Sequence, residues 1–160
     1  MKTILRGRCL CGSVRYECTA DPGNASYCHC DDCKRATGGP YTVGVLARAA
    51  DLRILCGQVK GYTTIADSGR KITREFCPNC GSPLFTRAEK FPDSVFLKAG
   101  SLDEPERIKP NCQIWTKRAV PWAYVDETLP CFPEGRPSGA DGPDGRSHED
   151  QGPLPENGVQ

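Results

Sequence analysis

Apolar and polar positions alternate over short stretches of this chain, and the stretches recur. Val14, Tyr16 and Cys18 are separated by polar Arg15 and Glu17, the period-two pattern of a strand with one buried face. Residues 41–46 form an aromatic, β-branched and apolar run interrupted by Gly44. Leu52–Cys56 also reads as a strand; Gly57 then opens a turn, and residues 59–65 are expected to return as its hairpin partner. Asp67-Ser68-Gly69 marks another turn, after which Lys71–Phe76 places Ile72, Arg74 and Phe76 on one face. Residues 83–86 and 95–99 are further strand candidates, and residues 114–124 are apolar but broken by Pro121. One short helix is expected, over Asp31–Thr37, with Asp31 or Asp32 as its cap and Gly38-Gly39 as its stop. Short strands at close spacing with turn residues between them predict a mainly β domain.

The pattern changes near Phe132. Residues 133–160 hold five prolines, six glycines and almost no large apolar side chain. Such a segment buries too little surface to offset the entropy of ordering it. The chain is therefore divided into a domain over 1–132 and a disordered, acidic, Pro/Gly-rich tail over 133–160, with His148 a solvated residue of that tail. The tail carries six acids against two bases, a net −4, so that +5 of the total +1 falls on residues 1–132. A mildly basic body suits an anionic small molecule and is too weak for nucleic acid. Arg6 and Arg8 interrupt the first apolar run, and no stretch reaches the ~20 apolar residues of a membrane span. The expectation is a cytoplasmic protein with neither nucleic acid nor membrane as partner.

Eleven cysteines then need a reason. An odd number does not suit a disulfide scaffold, and clustered thiols in a reducing compartment bind metal or do redox work. Cys77-Pro78-Asn79-Cys80-Gly81 is a zinc-knuckle pattern, in which the glycine lets backbone N–H groups turn toward the sulfurs. A closed site needs four ligands, and Cys9-Leu10-Cys11-Gly12 is the matching half. The competing reading makes Cys77 and Cys80 a redox pair, but the βαβ context of such a pair is absent.

Cys28-His29-Cys30-Asp31-Asp32-Cys33 is a second cluster. On an extended segment Cys28 and Cys30 point the same way, and Cys33 can join them from the first helical turn. Three thiolates on one ion leave a fourth position, the mark of a catalytic rather than a structural zinc. That position would draw a soft ligand such as a thiol and ionise it near neutral pH. His29 or Cys56 could instead close the site, or the three thiols could act in redox chemistry without metal; His29 is expected as a hydrogen-bonding neighbour. Lys34, Arg35, Gly38 and Gly39 are candidate substrate contacts, as two cations and two positions of close backbone approach. Tyr41, Trp115 and Trp122 could line a pocket. The isolated Cys18, Cys56, Cys112 and Cys131 are expected as small buried hydrophobes.

Three segments together resemble the glutathione-dependent formaldehyde-activating enzyme family, whose domain also occurs in centromere protein V. They are Cys9-Leu10-Cys11-Gly12-Ser13-Val14-Arg15-Tyr16, the run from Cys28 to Gly38, and Phe76-Cys77-Pro78-Asn79-Cys80-Gly81-Ser82-Pro83-Leu84. The resemblance spans about Gly7 to Phe132. It implies a β-tent of small antiparallel sheets stapled by zinc, with structural zinc on Cys9, Cys11, Cys77 and Cys80. It implies a second zinc on Cys28, Cys30 and Cys33, where glutathione binds, so that these three cysteines are the catalytic candidates. The implied activity is that of a carbon–sulfur lyase, S-(hydroxymethyl)glutathione synthase-like, joining glutathione reversibly to formaldehyde. The chain departs from the family where it has Gln113 in place of a histidine. The alternative is a non-catalytic zinc-stapled module that binds a protein or a thiol.

Overall fold

The computed structural model describes residues 1–66, 69–124 and 126–136. Its elements run in the order β1 (Thr3–Arg8), β2 (Arg15–Ala20), β3 (Ala25–Cys28), α1 (Asp31–Thr37), β4 (Thr42–Arg48) and β5 (Leu52–Cys56). There follow β6 (Lys60–Ile65), β7 (Lys71–Phe76), β8 (Pro83–Ala88), β9 (Ser94–Lys98), β10 (Pro110–Ile114) and β11 (Cys131–Phe132). The mainly β expectation holds. The strands form a three-stranded sheet in the order β1-β2-β5 and an eight-stranded sheet in the order β11-β10-β3-β4-β9-β8-β7-β6. Pairing is antiparallel except at β3–β10 and β10–β11, which are parallel.

The core lies between the sheets. Leu5, Tyr16 and Cys18 come from the small sheet and Val45, Ala47, Phe85, Val95 and Leu97 from the large one, and all are buried. Each fully buried large apolar side chain contributes about 1.5–3 kcal/mol. The Tyr16 and Phe85 rings meet edge to face at 4.7 Å, and the Tyr16 hydroxyl bonds the Ser101 hydroxyl at 2.6 Å. Gly7 sits opposite Tyr16 in the β1–β2 ladder, where a side-chain carbon would fall 2.4 Å from that hydroxyl.

The hairpin expected between Leu52–Cys56 and residues 59–65 does not form. β5 pairs antiparallel with β2, and β6 pairs with β7 in the other sheet. Gly57, at φ +76°, packs so close to the Ser13 carbonyl that a Cβ would lie 2.2 Å from its oxygen. The left-handed residue steers the chain from one sheet to the other instead of folding it back. The helix runs over Asp31–Thr37 as expected, but its cap is Cys30, whose sulfur accepts from the Cys33 N–H at 3.2 Å. Gly38, at φ +71°, ends it and donates its N–H to the Lys34 carbonyl. Residues 114–124 hold the end of β10 and a short 3-10 turn over Thr116–Arg118. Cys56 and Cys131 are exposed, contrary to expectation, because each lies on an edge strand, while Cys18 and Cys112 are buried. Of the tail expected over 133–160, residues 133–136 are described, and the Pro133 and Glu134 carbonyls accept from the Lys117 and Trp115 N–H groups of the domain; residues 137–160, with His148, and Asp67 and Ser68 lie outside the described residues.

Candidate metal centres

Two tight turns of matching geometry bring four cysteines together. Between β1 and β2, Gly12 N–H donates to the Cys9 carbonyl at 3.0 Å, and Cys9 N–H to the Val14 carbonyl at 3.1 Å. Between β7 and β8, Gly81 N–H donates to the Cys77 carbonyl at 2.9 Å, and Cys77 N–H to the Ser82 carbonyl at 3.0 Å. Gly12 and Gly81 hold φ of +75° and +76°, the left-handed turn that a Cβ would strain. The sulfurs of Cys9, Cys11, Cys77 and Cys80 all lie within 4.8 Å of one another. The turns are tied together by the Leu10 N–H, which donates to the Ser82 hydroxyl at 2.9 Å.

Donors surround these sulfurs. Val14 N–H reaches Cys9 Sγ at 3.3 Å, Asn79 Nδ2 reaches Cys11 Sγ at 3.2 Å, and the Ser13 hydroxyl lies 3.0 Å from Cys11 and 3.3 Å from Cys77. The Ser13 hydroxyl, then the Asn79 amide, bring the Cys11 thiol down to about 5. The Ser82 hydroxyl, 3.1 Å from Cys80, leads in bringing that thiol down to about 7. Cys77 goes the other way: the Ser13 hydroxyl acts downward, but burial and the hydrogen bond with Cys9 leave that thiol raised. Cys11 and Cys80 are thus held toward the thiolate, the form that ligates metal.

The second cluster is built by β3 and α1. Cys28 ends the strand, Cys30 caps the helix and Cys33 lies on its first turn. All three are buried, with sulfurs within 4.8 Å of one another, and Cys28 and Cys30 are 3.3 Å apart. Trp115, held at φ +60°, and Ile114 pack against them. Here the thiols are pushed up. Hydrogen bonds with Cys30 and Cys33, then burial, raise Cys28 well above the ordinary thiol range. For Cys30 the hydrogen bond from Cys28 acts downward, but Cys33 and burial outweigh it and the thiol rises to about 12. Each cluster could hold a metal ion. Four thiolates complete a tetrahedron, and three leave one position.

His29 points away from the sulfurs, as alternation requires. It is fully buried, its Nε2 lies 3.0 Å from Gln113 Oε1, and its ring meets Tyr41 edge to face at 5.3 Å. Gln113 in turn donates to the Asp126 carbonyl at 2.7 Å. This position, where the resemblance led to a histidine, ties the 126 loop to the strand beside the cysteines. Lys34 donates to the Arg118 carbonyl at 2.6 Å and pairs with Asp31 at 2.9 Å, while Arg35 is exposed. Trp122 is 74% exposed. A groove of about 1090 Å³ runs from Cys9, Leu10 and Ser82 to Thr37, Tyr41 and Thr42. Its wall carries Arg6, Arg8, Arg15 and Lys98 against the acid Asp103, a surface that favours an anion. Lys98 was not singled out by the sequence. Nor were Ser13, Asn79 and Ser82, which became visible only once the turns placed their side chains on the sulfurs.

Residues 4–118 match the family described as glutathione-dependent formaldehyde-activating enzyme. The chain belongs to that family. It is also 28% identical to a protein of Halomonas elongata named as a candidate glutathione-dependent formaldehyde-activating enzyme, the match covering 66% of this chain and 73% of that one. A crystal structure of a Rhodobacter sphaeroides protein shares its fold, with a TM-score of 0.52 at 24% identity over 61% of this chain and 87% of that one. Both cysteine sets of this family member lie inside the matched span, as do Gln113 and every residue of the groove wall. No helix among its described residues is long and apolar enough to cross a membrane.

Proposed function

We propose that this family member is a zinc-dependent carbon–sulfur lyase that joins a small thiol, glutathione, to an aldehyde such as formaldehyde and also runs the reverse reaction. One observation carries the reading: among the described residues, the cluster of Cys28, Cys30 and Cys33 gathers three ligand atoms and no fourth. Cys9, Cys11, Cys77 and Cys80 would hold a structural zinc, and Cys28, Cys30 and Cys33 a second one. Bound in the open site, the second ion supplies positive charge that lowers the pKa of a coordinated thiol toward neutrality. The protein does the rest. Trp115 and Ile114 cover the cluster and keep water from it. Lys34 and its partner Asp31 fix α1 against Arg118, which holds Cys33 in register with Cys28. Arg6, Arg8 and Arg15 offer charge to the carboxylates of a peptide thiol along the groove. Thr37 of the helix end lines the groove, while Lys34, Arg35, Gly38 and Gly39 do not; these four remain the proposed substrate contacts, in a cytoplasmic setting.

The test is exchange spectroscopy on carbon-13 formaldehyde with glutathione, which reads the rate of hydroxymethyl transfer at equilibrium. The protein should accelerate exchange, and Cys33→Ser should bring the rate back to the uncatalysed value while leaving one metal per chain. Equal rates for the two proteins would remove the three-cysteine centre from the reaction.

A further inference from the structure

One face of the eight-stranded sheet carries polar groups that neither cysteine set explains. Residues opposite each other in a ladder share a face, as do alternate residues along a strand. Cys28 is opposite Thr42, Gly44 is opposite Lys98, Leu46 is opposite Phe96, and Phe96, Thr86 and Arg74 are opposite in turn. These residues form one continuous face, turned away from the core that holds Val45 and Leu97. Asp32 of α1 reaches Arg74 at 3.4 Å, so the helix that carries Cys33 borders the same face.

Lys98 is 7% exposed, and its ammonium makes one long hydrogen bond, to Thr42 Oγ1 at 3.4 Å. Arg74 is nearly enclosed; it donates to Thr64 Oγ1 at 3.0 Å and to Asp32, while its Nε has no protein partner. The Thr86 hydroxyl is enclosed and also has none. Gly44 adds no side chain to this row. Burying an ammonium and a guanidinium together is expensive unless something negative meets them. Asp32 meets Arg74 only. Burial, with the Arg74 charge, pushes Lys98 down, and its bond to Thr42, the residue opposite Cys28, places the lysine beside the cluster. Thr42 and Lys98 stand in the wall of the groove, which opens to solvent.

We propose that Lys98 and Arg74, with the hydroxyls of Thr42 and Thr86, bind a compact oxyanion, a negative oxygen on carbon, beside the three-cysteine cluster. The site rests on the proposed reaction only for the source of that oxygen. In that reaction the thiol loses its proton to solvent and its sulfur bonds to the carbonyl carbon. The carbonyl π pair moves onto oxygen, and the oxygen takes a proton from water. The two cations hold it while it is negative. The same cations would seat the carboxylate of an acid-bearing aldehyde.

Calorimetric titration of the metal-loaded protein with sodium formate tests the site without any thiol. Formate should bind, Lys98→Met and Arg74→Gln should each weaken it by about tenfold or more, and Lys98→Arg should keep most of the affinity. Circular dichroism and metal content check the fold, and Arg74→Gln decides the matter if Lys98→Met does not fold. Formate affinity unchanged in the folded variants overturns the proposal and leaves the cations as counter-charges to the thiolates. Turnover of formaldehyde and of glyoxylate with glutathione separates the sources. A lower kcat for both in Lys98→Met assigns the adduct oxygen, and a higher KM for glyoxylate alone assigns the carboxylate. Formate binding without turnover of either aldehyde refutes the proposed reaction and keeps the oxyanion site.

Discussion

A thiol in this chain is set by the few atoms around it. Cys18 lies in β2 with 1% of its surface exposed, and burial followed by the Asp51 charge raises it to about 11. Cys112 is likewise raised by burial, while Cys56 and Cys131 are exposed. Iodoacetamide at pH 8 should therefore label Cys56 and Cys131 rapidly and spare Cys18 and Cys112, as read by peptide mass spectrometry. Cys18 also shapes the alkaline limit. Its folded pKa lies above the ordinary thiol value of 9.0, so its contribution is intact below pH 9 and is lost as pH rises from 9 through 11. Burial shifts Tyr16 upward as well, which extends the loss to higher pH. The unfolding free energy from urea titration should fall between pH 9 and 11 by about 1–2 kcal/mol, and Cys18→Ala should flatten that fall. A curve of the same slope in the variant would assign the loss elsewhere. Backbone positions are as particular. Gly57→Ala meets the Ser13 carbonyl at 2.2 Å with φ at +76°, whereas Gly38→Ala has open space at φ +71°. The second should cost about 1–2 kcal/mol in urea unfolding, for the left-handed backbone alone. The first should cost more, because rigid backbone must also move.

At the scale of elements, α1 depends on a metal-ligand candidate for its start. Cys30 Sγ accepts the Cys33 N–H at the N-cap, where serine is also a good cap and alanine a poor one. In metal-free protein, Cys30→Ser should keep the stability of the parent, and Cys30→Ala should lose about 1 kcal/mol in urea unfolding. The helix span and both cysteine sets were legible because spacing determines them. Burial in β7 does not alternate, so the expected face of Ile72, Arg74 and Phe76 has no one-sided burial behind it; an arginine between two apolar residues was the one advance sign of the nearly enclosed cation there. β1 was invisible because its buried positions are Leu5 and Gly7, and a glycine under a tyrosine ring makes no hydrophobic pattern. β10 buries Cys112 and Gln113, the latter satisfied by His29 and the Asp126 carbonyl, which a local reading scores as surface. The β5–β6 hairpin was misread because turn residues fix the bend and not the partner. Ser13, sited far from Gly57 in sequence, decided it.

At the scale of the molecule, the two cysteine sets join different things. Cys9 and Cys11 lie in the turn of the small sheet, Cys77 and Cys80 in a turn of the large one. An ion held by all four would clamp the sheets across a sequence separation of 66 between Cys11 and Cys77, and clamping a long loop restrains the unfolded chain strongly. Cys28, Cys30 and Cys33 lie within six consecutive residues at one end of the large sheet, so an ion there closes almost no loop. Replacing Cys77 and Cys80 by serine should lower the melting temperature by about 10 °C or more, and replacing Cys28 and Cys33 by only a few degrees. The groove gives the same comparison a second readout. Arg6 and Arg8 stand on the small sheet and Lys98 on the large one, so a loosened clamp separates the cations that would grip one ligand. Calorimetric binding of glutathione should therefore weaken in the Cys77/Cys80 variant, although its three-cysteine cluster is untouched. Equal melting temperatures in the two double variants would mean that burial between the sheets, and not the clamp, holds them together.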